Sequence, residues 1–320
     1  MHVPQLPTAE LHHPTRRQIL AGTCTLAVAG AFGAPHAAAQ AAPHRFRTGA
    51  AEVTLLSDGT MSAPLGWVLP DRSSAEIADA LKPSGRTPGD FPLQVNVTLV
   101  RLGDALILID AGSGPDFAPT RGKLADNLDK AGIKPDAITH VVFTHAHPDH
   151  LWGVIDPLDG GTMFPKAKHF LPAVERDYWL KPGVETTVPE AVRGGAIGTQ
   201  RRLKELGDRI EITKAGTEIL PGLALVDSAG HSPGHVCVHL RSGSDQLMIG
   251  GDALTEPVIS FARPDWPWGA DWDKDRAIAS RKRLLDMLVT DKIPLVGYHL
   301  PWPGLGRVER AGTAYRFVQN

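Results

Sequence analysis

From residue 51 onward, short apolar runs alternate with amphipathic stretches, and the two periods can be told apart. "AEVTLLSD" (51–58), "VNVTLVRL" (95–102) and "ALILIDAG" (105–112) are too short for helices and rich in β-branched residues, so they predict strands. "ITHVVFTH" (138–145), "KHFLP" (168–172), "RIEIT" (209–213), "LALVDS" (223–228), "HVCVHL" (235–240) and "DQLMIGG" (245–251) follow the same rule. "IPLVGYH" (293–299) closes the series as the last predicted strand. Helical spacing appears at 120–132, with Gly132 as a stop signal, at "AVERDYWL" (173–180) and at 273–289. In the last of these, Asp273 is suited to cap the amino end. No repeat and no linker divides the chain, so residues 42–320 predict one α/β domain with two sheets and outer helices.

The amino end follows a different pattern. Arg16 and Arg17 open a run rich in Ala and Gly, and small-residue cleavage sites follow at Ala39 and Ala41. Residues 1–41 therefore predict a twin-arginine export signal, with that export machinery as a partner and a periplasmic mature chain. The apolar run is short and weakly hydrophobic, which argues against a stable membrane anchor. Cys24 falls within the signal, leaving Cys237 as the only mature cysteine. An internal disulfide is then excluded, and the apolar run around Cys237 predicts a buried core thiol. The net charge is −2, and −3 once the segment carrying Arg16, Arg17 and Glu10 is removed. No basic block remains, so nucleic acid is not an expected partner.

The chemistry is concentrated in "THAHPDH", residues 144–150. In extended chain, side chains two apart point the same way, so His145 and His147 can face one point. Asp149 and His150 follow a turn at Pro148 and cannot comfortably join that pair on one ion. The geometry favours two neighbouring centres, since four ligands on one tetrahedral ion would also leave no open position. Further ligand types stand just beyond apolar strands: His231 in "SAGHSPGH", Asp252 in "MIGGDAL" and His299 in "LVGYHLPWPG". The carboxyl ends of strands are where α/β proteins commonly build their sites.

These motifs, together with Asp110 in "LILIDAG", resemble the metallo-β-lactamase superfamily in identity and order. The resemblance implies an αββα sandwich with a metal site at one edge of its two mixed sheets. It also implies that His145, His147 and His231 bind one ion and that Asp149, His150 and His299 bind a second, with Asp252 bridging. Asp110 is then expected to order the ligand loops, and His235, His140, His239 and His169 to be structural. Zinc is the expected metal, although Mn, Fe and Co also suit such ligands. Two ions lower the pKa of a shared water towards neutrality, and the resulting hydroxide attacks carbonyl carbon or phosphoryl phosphorus. Asp149 would orient that hydroxide and move its proton.

The flanks "VTLLSDGTM", "ERDYWL" and "HLPWPGLGRVERAGTAYRFV" resemble methyl parathion hydrolase and its lactonase and esterase relatives. The expected substrate is therefore a small lactone, carboxylic ester or phosphotriester (organophosphate), and the same resemblance allows a homodimer. The alternatives are a class B3-like β-lactamase and a mononuclear iron sulfur dioxygenase of this fold. The former generally lacks the bridging aspartate, and the latter uses fewer of these ligands. Phe117, Trp179 and Trp302 are candidate pocket walls. Trp266 and Trp268, in a Pro-rich loop with Trp272, are expected to cap the site or to form a subunit contact.

Overall fold

The computed structural model describes residues 41–156 and 160–320; residues 1–40, and with them nearly all of the expected export signal, lie outside the described residues. The unit Gln40–Asn320 holds two seven-stranded sheets. In the first, β1 (His44–Thr48), β2 (Ala51–Ala63), β3 (Phe91–Leu102), β4 (Ala105–Ile109), β5 (His140–Val142), β6 (Lys168–Pro172) and β7 (Ile210–Thr213) lie side by side in chain order. The second sheet contains β8 (Glu218–Leu220), β9 (Leu223–Asp227), β10 (Val236–Ser242), β11 (Asp245–Ile249), β12 (Leu295–Val296), β13 (Leu305–Ala311) and β14 (Ala314–Gln319), again in chain order.

Pairing is antiparallel from β1 to β4 and parallel from β4 to β7. Parallel neighbours need a crossover, and helices supply it. These are α3 (Leu124–Lys130), α4 (Pro148–Leu151), α5 (Ala173–Leu180) and α6 (Glu190–Leu206), after the short α1 (Leu65–Val68) and α2 (Ser74–Leu81). The second sheet has one parallel pair, β11 with β12, spanned by α7 (Ile259–Ala262) and α8 (Lys274–Thr290).

Three apolar layers hold the sheets and outer helices together, and a fourth apolar cluster seats α1 and α2. Val53, Leu55, Val100, Ile107 and Ile109 of the first sheet meet Leu225, Val238, Leu247, Ile249 and Val296 of the second. On the far side of the first sheet, Val97, Leu99, Leu108 and Val141 pack with Leu124, Leu128, Trp152 and Leu203. Beyond the second sheet, Cys237, Met248 and Leu295 pack with Phe261, Leu284, Leu285 and Leu288. Alternate positions of a central strand serve opposite layers, so its sequence reads as continuously apolar. The result is helix, sheet, sheet, helix.

The structure adds β1, α2, α6, β8 and the β13–β14 hairpin to the elements read from the sequence, and two of these additions have a physical reason in the packing. "IPLVGYH" is not the last strand: it shortens to β12, and the β13–β14 hairpin follows. In that hairpin Glu309 faces Arg316 across the ladder, so charges on the exposed face hide the alternation. The other addition is α6, whose glycines lower its helix propensity. One of them, Gly198, is dictated by packing, because a Cβ there would stand 2.1 Å from Cζ2 of Trp152.

Candidate metal centre

Chain ends converge at one edge of the two sheets. Asp110 follows β4, "THAHPDH" follows β5, His231 sits between β9 and β10, Asp252 follows β11 and His299 follows β12. His147 caps the amino end of α4 in extended conformation, and Pro148 occupies the first helical position. That switch from strand to helix sends His145 and His147 one way and Asp149 and His150 another.

Among the described residues, the ligand atoms fall into two groups. His145, His147, His231 and Asp252 form one, and Asp149, His150 and His299 form the other, each group spanning no more than 4.8 Å. Asp252 stands between them. Its Oδ1 is 3.0 Å from His150 Nε2, and its Oδ2 is 3.2 Å from both His231 Nε2 and His299 Nε2. His147 Nδ1 lies 3.0 Å from His231 Nε2, and Asp149 Oδ2 lies 3.4 Å from His299 Nε2. Buried polar atoms are nearly always paired. Here His145 Nε2, His150 Nε2 and Asp252 Oδ1 are buried with no hydrogen-bond partner. Divalent cations held by the two groups would satisfy all three, and the nitrogen and oxygen donors suit them.

A second layer of bonds selects which ring nitrogen faces inward. His150 Nδ1 donates to Asp110 Oδ2 at 2.8 Å, His299 Nδ1 to the Gln94 carbonyl at 2.6 Å and His231 Nδ1 to Asp271 Oδ1 at 3.4 Å. The Thr144 hydroxyl gives its proton to Asp110 Oδ2, so at 3.1 Å it accepts from His145 Nδ1. Each of these four rings therefore turns Nε2 and its lone pair to the centre, as bound metals require. Asp110 adopts φ 61, a conformation that short polar side chains tolerate, and its Oδ1 also accepts from the Thr144 amide.

Electrostatics follow from burial and crowding. Burial, helped by His231, pushes His147 down to about 3. For His231 burial acts downward too, but Asp252 and Asp271 outweigh it and raise the ring to about 9. A proton thus competes with a cation for His231 Nε2, and metal binding should release it. Burial opposes ionisation of Asp149, yet Arg121, His150 and His299 hold its carboxyl well below the usual range.

A family model described as the Metallo-beta-lactamase superfamily matches residues 90–294. The chain belongs to the metallo-beta-lactamase superfamily. It resembles the solved structure of AidC, a dizinc quorum-quenching lactonase with bound product N-hexnoyl-L-homoserine, with TM-score 0.82 and 29% identity over 88% of this chain and 98% of that one. AbOPH, a hydrolase of the beta lactamase superfamily, superimposes with TM-score 0.80 and 26% identity over the same shares. An N-acyl homoserine lactonase of Bacillus thuringiensis is 23% identical over 252 residues, which is 72% of this chain and 88% of that relative. Membership of this superfamily and the donor set together make the protein a metal-dependent hydrolase.

Several other groups support the superfamily's ligand loops here. His235 Nε2 accepts from the Asp252 amide at 2.9 Å, which leaves its Nδ1 to donate to Ser228 Oγ; it positions Asp252 from behind. His140 pairs with Thr139, His239 with Gln246 and His169 with Thr162. Trp179 is buried with its ring 5.7 Å from His147, while Phe117 lies edge-on to Trp152 at 5.6 Å. Trp302 packs, half-buried, against the core between the sheets. Trp266 and Trp268 are buried with α1, α2 and Phe91, whereas Trp272 is 52% exposed and meets Tyr178 edge-on.

Sequence reasoning missed Glu175, Arg121, Asp271 and Tyr298. The Glu175 carboxylate is buried and accepts from the Ala146 and Gly234 amides, the Ser232 hydroxyl and Trp179 Nε1. It thereby ties the loop of His147 to the loop of His231. Tyr298 stacks on His150 at 3.9 Å and donates to the Asp149 carbonyl at 2.7 Å. Only Glu175 left a trace in the sequence, a carboxylate four residues from Trp179 on one helix face.

Proposed function

We propose that this protein hydrolyses small lactones and carboxylic esters with two zinc ions, phosphotriesters being a secondary substrate class. The observation that carries the reading is the placement of Asp252, one carboxylate shared by two converging sets of imidazoles. Similarity to a dizinc lactonase over 98% of that chain supports lactones as the leading class.

In this reading His145, His147 and His231 would hold one ion and Asp149, His150 and His299 the other, with Asp252 available to both. Such ions would supply an acidified water near neutral pH and polarise the electrophilic oxygen. Asp149, kept anionic by Arg121, orients the attacking water. It would take up the proton that this water loses on attack and hand it to the leaving alkoxide, a far stronger base than a carboxylate, as the ring C–O bond breaks. The product is the ring-opened hydroxy acid. Trp179, beside His147, excludes water from one side of the site.

The test is kcat/KM of the metal-loaded mature protein on an aliphatic lactone and on an aryl phosphotriester, with a β-lactam as control. The lactone should be favoured by about 100-fold or more, a difference of ~2.7 kcal/mol in transition-state binding. Preference for the phosphotriester would reverse the substrate order, and turnover of the β-lactam alone would overturn the reading.

A further inference from the structure

Arg121 is a fully buried guanidinium beside the candidate metal centre. Its Nη1 donates to Asp149 Oδ2 at 2.7 Å, its face covers the Phe117 ring at 5.2 Å, and its buried Nε and Nη2 have no partner. We infer that Arg121 makes the two metal positions unequal by weakening the one formed by Asp149, His150 and His299. The inference rests on the binuclear reading above.

Arginine stays charged under all ordinary conditions. In a buried setting, where charges are poorly screened, a cation touching a ligand carboxylate withdraws part of its negative charge from any metal it holds. Among the described residues, no guanidinium pairs with a ligand of the other position, built from His145, His147 and His231; the basic group near it, Arg281, pairs with Asp271 rather than with a ligand. The backbone of Asp149 is placed without Arg121. The aspartate sits in the first turn of α4, its carbonyl accepts from Tyr298, and the neighbouring His150 is fixed by Asp110 and by the Tyr298 ring. Removing the guanidinium charge should therefore strengthen the second position rather than dismantle it.

The experiment takes fully loaded wild type, R121M, R121Q and R121K through graded concentrations of a chelator. Zinc retained per chain is then counted by elemental analysis, and a thermal melt confirms the fold. Wild type should release one ion well before the other. In R121M and R121Q, which lack the charge, that first ion should survive at least tenfold more chelator. In R121K, which keeps the charge, it should leave as in wild type. The glutamine variant retains a hydrogen-bond donor for Asp149, so it serves should the methionine variant fail to fold. Early release from a folded R121Q at the wild-type chelator concentration, or earlier, would overturn the inference while leaving the binuclear reading intact. Wild type that never holds more than one ion per chain would overturn both.

Discussion

A histidine that ligates a metal almost always donates its other ring N–H to a fixed acceptor, which sets the ring's orientation. Here Asp110 serves His150, Thr144 serves His145, Asp271 serves His231 and the Gln94 carbonyl serves His299. D110N would present an amide group to donors at Thr144 and His150. It should lower metal affinity 10–100-fold, measurable by chelator competition, with the fold retained. H147A should abolish turnover and leave most of the secondary structure, as activity and circular dichroism would show. The seven candidate ligands were legible because each lies in a short motif or just beyond an apolar strand. Arg121 and Asp271 were not, because their partners Asp149 and His231 lie 28 and 40 residues away. Cys237 is fully buried and its thiol is pushed up to about 12, chiefly by burial. Cys237 of the native protein should therefore resist alkylation at pH 8, and unfolding should expose it to label, as peptide mapping would show. His169 gives a pH signature away from the metal ligands. Burial, and then Arg209, pushes it down to about 4. Between pH 6.5 and 4 the unfolded state binds this proton and the folded state resists it, so stability falls as pH falls. H169Q should remove up to ~3 kcal/mol of that loss in denaturation measured across the window.

The strands that deliver ligands were the most readable elements, since burial on both faces leaves a nearly unbroken apolar run. β6 and α5 match their predicted limits, and Asp273 caps α8 by accepting from the Arg276 amide. Two of the elements that escaped notice have a local signal that conflicts with their packing. The glycines that admit Trp152 conceal α6, and cross-strand ion pairs conceal the final hairpin. The contribution of α5 to the site is likewise tertiary. Glu175 anchors two ligand loops that are far apart in sequence, so E175Q replaces an acceptor by a donor facing N–H and O–H groups. A buried mismatch of this kind costs about 1–3 kcal/mol for each group left unpaired. The variant should melt at a lower temperature and lose metal more readily than D110N loses stability, which parallel melts and zinc counts would check.

At the scale of the molecule, two sheets bring five strand ends to one edge, where several like charges and buried imidazoles must coexist. Bound cations relieve that crowding, and a ligand bound only by the folded state stabilises it by mass action. Exhaustive chelation should lower Tm by ~5–15 °C, and zinc should restore it. The central claim is that one edge holds two metal ions sharing Asp252. Anomalous scattering from crystals of the zinc-loaded protein tests it most directly. Two peaks are expected about 3.5–4 Å apart, one against His145, His147 and His231, the other against Asp149, His150 and His299, with the Asp252 carboxylate between them. A single peak, or zinc bound away from Asp252, would contradict it.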